Sequence, residues 1–423
     1  MNGSRRIGSV ATAIALSIAC GTVSQQKAIV QDSLRGWNVL LVTIDTLRFD
    51  RVGAYGSSLG LTPTLDRLAR EGQRAVTAYA HVPMTLPSHA TLMTGMYPFT
   101  NGVRDNGSFH LDRDKPTLAK SLEAAGYRTG AFVGAFVLDA RFGLNNGFDA
   151  YDDRMNGTGG TPEVVQRPAE QVLAAAADWI LGSAVSPKPS ALSNPSSLSP
   201  QPFFGWIHLY DPHEPYAPPE PYRSRYASDP YAGEVAYADA ALGAFLDRLQ
   251  AAGALARTLI VVASDHGESL GEHGERTHGL FAYDATLRVP LILRAPTAIA
   301  PGMFNGLSRL IDVTPTILDL VGVQQPGGMD GRSLRSAIEG QPAADRPSYF
   351  EALNANLTRN WAPLKGVVVN GPNRLKLVDL PIPELYELDT DPGESRNLVA
   401  GADTGTVNPY RRLLARLTGA TPR

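Results

Sequence analysis

Two places in the chain set acidic and imidazole side chains at the end of an apolar run. Trp37 to Ile44 is such a run and ends at Asp45; Leu259 to Ala263 is another, followed by Asp265 and His266. Two carboxylates and an imidazole offer hard oxygen and borderline nitrogen donors, a set that suits one divalent cation. A single aspartate after a strand is more often a turn or helix cap. The metal reading therefore depends on whether the fold brings the three together.

The elements around them favour that. Apolar runs over Trp37–Ile44, Thr129–Leu138, Phe203–Leu209 and Leu259–Ala263 read as strands buried on both faces. Helical patterns lie between them. Thr62-Pro63 opens one that Gly72 closes, Lys115–Ala125 is a second, and Tyr237–Leu249 a third. Strands alternating with helices imply an α/β fold, a mostly parallel sheet flanked by helices. In such a sheet the strand C-termini open into one crevice, where Asp45, Asp265 and His266 would meet.

The chain's 423 residues and net charge of −3 allow one large α/β domain plus a smaller one, and give no basic field for nucleic acid. Its single cysteine, Cys20, excludes an intrachain disulfide and any cysteine-based metal site. Arg5 and Arg6, the apolar stretch Ile7–Ala19 and Cys20 read as a signal peptide over residues 1–25, of lipoprotein type although Ser17 replaces the usual leucine. The expectation is an exported chain, periplasmic or tethered to a bacterial membrane through Cys20. Residues 36–325 read as the catalytic domain, with a disordered Ser/Pro/Ala-rich insertion at 181–201. Residues 326–423 read as a small α+β C-terminal subdomain.

Longer motifs give a resemblance. Asp45-Thr46-Leu47-Arg48 with Gly53-Ala54-Tyr55-Gly56, Thr85-Leu86-Pro87-Ser88-His89 with Leu92-Met93-Thr94-Gly95, Ser264-Asp265-His266-Gly267-Glu268, and Arg288-Val289-Pro290 follow one another in order. Glu384-Leu385-Tyr386-Glu387-Leu388 closes the series. Together they resemble the sulfatase family of the alkaline phosphatase superfamily, from about Trp37 to Leu398.

The resemblance implies roles. Asp45, Asp265 and His266 match metal ligands for one divalent cation (Ca, Mn or Zn), and Thr85 matches the nucleophile that also touches the metal. Asn106 matches a substrate-oxyanion contact and His213 a substrate or leaving-group histidine. His278 stands where many sulfatases carry a sulfate-contacting lysine. A second metal held by Asp211, His213 and His278 is the less favoured expectation. Three positions depart from the family: Thr46 replaces a frequent second aspartate ligand, His89 replaces an arginine that supports the nucleophile, and Thr85 replaces the Cys or Ser that is oxidised to formylglycine. Threonine cannot become that aldehyde. His208, inside an apolar strand, and His273, in a loop, are read as structural.

The expected activity is metal-dependent hydrolysis of a small-molecule, glycan-linked or lipid-linked ester, phosphate mono- or diester rather than sulfate. A Thr-Asp-His site of this kind also resembles lipoteichoic acid synthases and phosphoethanolamine transferases, so a head-group transferase is the alternative. A non-catalytic binding protein on the same fold is the third.

Overall fold

The computed structural model describes residues 29, 34–155, 166–182, 201–341, 346–399 and 404–419. The leader with Cys20 lies outside the described residues, as does most of the proposed insertion. Leu181 and Gly182 instead end a helix, Ala169–Gly182.

Eight strands form the main sheet: β1 (Asn38–Ile44), β2 (Gln73–Tyr79), β3 (Arg128–Val133), β4 (Ala150–Asp152), β5 (Phe203–Leu209), β6 (Thr258–Ser264), β7 (Leu291–Arg294) and β8 (Gly302–Arg309). Their order is β4-β3-β5-β1-β6-β7-β2-β8. Only β7 runs against the others, pairing antiparallel with both β6 and β2. The expected Thr129–Leu138 strand stops at Val133; Phe136–Leu138 is a short 3-10 turn.

The two-residue period of each strand sorts its side chains between two cores. Leu40 and Val42 of β1 and Ile260 and Val262 of β6 pack beneath helices Pro63–Glu71, Ala169–Gly182 and Pro230–Ala251. Val39, Leu41, Trp206 and Val261 face the opposite core, which contains Leu86, Ala90 and Met93 of the helix Thr85–Thr94. Continuing that alternation puts Thr43 and Asp45 on the side of Thr85, and His208 lies opposite Thr43 in the β1–β5 register.

A second sheet is antiparallel, in the order β12-β11-β10-β9, built from β9 (Ser348–Ala352), β10 (Leu364–Val369), β11 (Leu375–Asp379) and β12 (Glu384–Glu387). Helix Asn408–Thr418 packs on it. A buried ionic contact joins this sheet to the first. Lys376 of β11 is wholly inaccessible, with Nζ 2.7 Å from Glu394 Oε1 and 3.4 Å from Asp284 Oδ1. Asp284 Oδ2 in turn accepts from Tyr79 Oη of β2 at 2.8 Å.

Removing one partner of a buried ion pair leaves the rest uncompensated, which costs about 3–5 kcal/mol. Lys376→Met should therefore lower the urea midpoint by that equivalent. The triple change Lys376→Met, Asp284→Asn, Glu394→Gln should recover part of it. A wild-type midpoint in the single variant would show that this contact does not hold the sheets together.

Candidate metal and ester-hydrolysis site

Asp45 leaves the end of β1, Asp265 and His266 the end of neighbouring β6, and the Tyr210–Tyr216 loop the end of β5 on the other side. All three site residues are fully buried, and their donor atoms lie within 4.8 Å of one another. Among the described residues this is the one Asp/Glu/His/Cys cluster of metal-binding spacing.

The hydrogen bonds show what the cluster lacks. Asp265 Oδ1 accepts from the backbone N–H of Thr46 (3.3 Å) and of His266 (2.9 Å), but Oδ2 has no partner, and neither has Asp45 Oδ1. His266 Nδ1 lies 2.9 Å from the Gly267 carbonyl, which only accepts, so Nδ1 carries the proton. Nε2 then presents a lone pair, 3.5 Å from Asp45 Oδ1 and 3.5 Å from Asp265 Oδ2. Two carboxylates and an imidazole lone pair converge on one point. That arrangement repels itself until a cation enters, so the residues fit a divalent ion held by Asp45, Asp265 and His266.

The ionisation tendencies agree. Burial, then the Asp45 charge, pushes the Asp265 carboxyl well above its usual range. Burial also raises Asp45, but contacts with His208, His213 and His266 outweigh it and hold that carboxyl below the usual range. Burial, with His278 close by, keeps His266 well below an ordinary imidazole.

Thr85 opens the helix Thr85–Thr94, with Met84 at the cap. Pro87 fits because its missing N–H falls in the first turn, where no intrahelical acceptor exists. Thr85 Oγ1 is 3.3 Å from Asp45 Oδ2 and 3.5 Å from His266 Nε2. The positive end of the helix dipole thus meets the hydroxyl at the cluster. Asn106 Oδ1 accepts from Leu86 N at 2.9 Å, which fixes the amide beside Thr85.

His89 occupies a supporting place. It is fully buried, its Nδ1 donates to Thr85 O at 2.7 Å and lies 3.5 Å from Asp265 Oδ2, and burial lowers its pKa to about 3. His213 and His278 stand together on the opposite flank. Their rings are 5.0 Å apart, and His278 is 4.5 Å from His266. Burial depresses His213. Burial also acts against protonation of His278, but the Glu268 carboxylate at 3.0 Å outweighs it and raises His278 above the ordinary imidazole range.

Other positions differ from expectation. Asp211 Oδ2 accepts from Ala169 N at 2.9 Å, so the structure does not assemble a second metal set with His213 and His278. His273 stacks on Tyr283 and contacts Gly393 O, outside the cluster. His208 is no ordinary core histidine: its Nε2 lies 3.4 Å from Asp45 Oδ2. Glu268, fully buried against His278, was also not singled out. Both depend on strand register and loop path, which no local pattern reports.

Comparison with known proteins decides the family. A family model described as sulfatase matches residues 37–323, and one described as the C-terminal part of N-sulphoglucosamine sulphohydrolase matches 271–419.

The chain belongs to the sulfatase family.

It is accordingly an ester hydrolase, from a family whose enzymes use a divalent metal. Steryl-sulfatase of Mus musculus is 26% identical over 86% of this chain and 79% of its own. The ulvan-active sulfatase of Formosa agariphila is 25% identical over 81% and 72%. Among solved structures, the phosphonate monoester hydrolase of Agrobacterium radiobacter has a TM-score of 0.72 at 22% identity, covering 90% of this chain and 95% of that one. A protein solved with its substrate D-glucosamine-2-N,6-O-disulfate has the same TM-score and identity, with 91% and 97% covered. These likenesses place the fold, an alkaline-phosphatase-like α/β sheet with a C-terminal antiparallel sheet.

Proposed function

We propose that this sulfatase-family chain is a metal-dependent hydrolase of phosphate mono- or diesters with Thr85 as its nucleophile. One observation carries the reading: a threonine hydroxyl, not a cysteine or serine, stands 3.3 Å from Asp45 and 3.5 Å from His266. Solved proteins of this fold include a phosphonate monoester hydrolase as well as sulfatases, so the architecture accommodates phosphorus substrates.

Asp45, Asp265 and His266 would hold the cation, with Thr85 beside them. When bound, a divalent ion supplies the charge that stabilises an alkoxide near neutral pH, as it brings the pKa of water down to about 7. Thr85 gives up its hydroxyl proton to water, its Oγ1 attacks phosphorus, and the bond from phosphorus to the leaving oxygen breaks. The leaving oxygen takes a proton from the His278–His213 flank, where Glu268 keeps His278 inclined to hold one. Asn106, fixed by Leu86 N, offers its amide N–H to a non-bridging oxygen. Water attacks the phospho-threonine at phosphorus and gives a proton back to the His278–His213 flank; the bond from Thr85 Oγ1 to phosphorus breaks, Oγ1 takes a proton from water, and phosphate (or, from a diester, a phosphate monoester) is released. A sulfo-threonine has no such easy exit, because threonine lacks the gem-diol hydroxyl whose elimination expels sulfate.

Three outcomes test this. The purified chain should contain one divalent cation and lose both metal and activity in Asp265→Ala; a metal-free wild type that stays fully active would refute the metal role. Phosphate mono- or diesters should turn over faster than matching sulfate esters. Thr85→Ala should fold but lose on the order of 10⁴-fold or more in kcat, with Thr85→Ser retaining part. Near-wild-type turnover in Thr85→Ala would remove Thr85 from the chemistry, and efficient sulfatase activity without phosphatase activity would overturn the substrate class.

We also infer export, from Arg5, Arg6, the apolar Ile7–Ala19 stretch and Cys20. No helix among the described residues is long and apolar enough to cross a membrane. Fractionation should place a tagged chain outside the cytoplasmic membrane, and Cys20→Ser should free it if the cysteine is lipidated. Intact leader recovered in the cytosol would defeat the inference.

A further inference from the structure

The two carboxylates of the cluster are held in different ways. Asp265 is fixed by two backbone N–H donors on Oδ1. Asp45 has no backbone donor among the described residues; its Oδ2 meets only side chains, Thr85 Oγ1 at 3.3 Å and His208 Nε2 at 3.4 Å. A carboxylate attached to a strand end by one rotatable stem needs something to set its rotation. Thr85 cannot be that support, since its hydroxyl is the group whose proton must leave.

His208 has the rigidity for it. The residue is wholly inaccessible, in the middle of the sheet, and its Nδ1 lies 3.2 Å from Thr43 Oγ1. Thr43 Oγ1 is itself fixed by Trp206 Nε1 (3.0 Å) and His89 Nε2 (3.0 Å). The His89 and His208 rings meet edge to face at 4.8 Å. One imidazole therefore stands beneath each carboxylate, His89 3.5 Å from Asp265 Oδ2 and His208 3.4 Å from Asp45 Oδ2, with Thr43 joining the two. His208 Nε2 has no aligned hydrogen-bond partner, so its whole interaction on that side is the contact with Asp45.

Thr43 gives its one proton to His89 Nε2, so Thr43 Oγ1 accepts from His208 Nδ1, and the contact of Nε2 with Asp45 is attractive as an ion pair of the doubly protonated ring. We propose that His208, in that form, is a positioning residue for Asp45: through the chain Thr43–His208–Asp45 it holds the carboxylate so that Oδ1 faces His266 and Oδ2 faces Thr85. This rests on the metal reading above. Partners of this kind, one step removed from the ion, set ligand orientation, and their loss typically weakens metal binding about 10–100-fold.

The test is the Mn²⁺ affinity of the chelator-stripped full chain, read from the paramagnetic resonance signal of free Mn²⁺, with the melting temperature of each variant beside it. His208→Ala should weaken Mn²⁺ binding by about 10–100-fold. His208→Asn, which can still reach Thr43 but not Asp45, should weaken it similarly, whereas His208→Gln, whose amide reaches Asp45, should recover most of it. If His208→Ala fails to fold, the comparison of Asn with Gln decides. Wild-type affinity in the Ala or Asn variant, or a Gln variant as weak as Asn, would overturn the proposal. Asp265→Ala separates the two ideas: unchanged affinity there would defeat the metal reading itself, while a loss there with none in His208→Asn would defeat only the role of His208.

Discussion

Everything in this structure near the chemistry depends on two aspartates that the fold buries completely. Asp45 and Asp265 lie at the ends of adjacent strands with 0% accessibility, and an imidazole lone pair is turned toward both. Moving an ionised carboxylate out of water costs several kcal/mol even after relaxation. Two such groups side by side cannot both ionise unless something positive joins them. Three donors aimed inward with two carboxylate oxygens unpartnered fit a cation at this point.

That constraint explains how the surroundings are divided. On the side of the helix Thr85–Thr94 the sheet carries Thr43, Trp206 and His208, a polar patch inside an otherwise apolar layer. Buried polar groups are tolerated when they satisfy one another, and Thr43 Oγ1 with three nitrogen neighbours does so. On the solvent-facing flank, His213 and His278 remain close enough to His266 to act on a group bound at the cluster. In the proposed scheme the lower layer would hold the ligands still and the upper flank would exchange protons.

Much of this was legible before the fold was known, for a physical reason. Strands buried on both faces must be apolar throughout, so Trp37–Ile44 and Phe203–Leu209 announce themselves, and β1 and β5 fall there within a residue. Asp45, Asp265 and His266 are polar interruptions at strand ends and stand out equally well. Three features were not legible. The antiparallel β7 has the same apolar pattern a parallel strand would have. The helix start at Thr85 was obscured by Pro87, which is a breaker only beyond the first turn. His208 looked structural because its partner, Thr43, is 165 residues away in sequence. Which side chains face each other across neighbouring strands is set by register, and the sequence of one strand does not contain it.

Two of the departures from the family pattern, Thr85 and His89, are coherent when taken together. With Thr85 as the proposed nucleophile the aldehyde route is closed, so its oxygen would have to be made reactive by charge alone. An arginine at position 89 would bring a fixed positive charge next to that oxygen and compete with the cation for the same carboxylates. Histidine at 89, whose pKa burial lowers to about 3, would instead leave a bound cation as the dominant positive charge at the hydroxyl. An imidazole is also shorter than an arginine, and the second imidazole, His208, stands beneath Asp45, the carboxylate His89 does not support. A phosphorus centre suits this arrangement. It accepts an alkoxide and releases it again to water by the same displacement at phosphorus, so the nucleophile needs no second hydroxyl to complete the cycle.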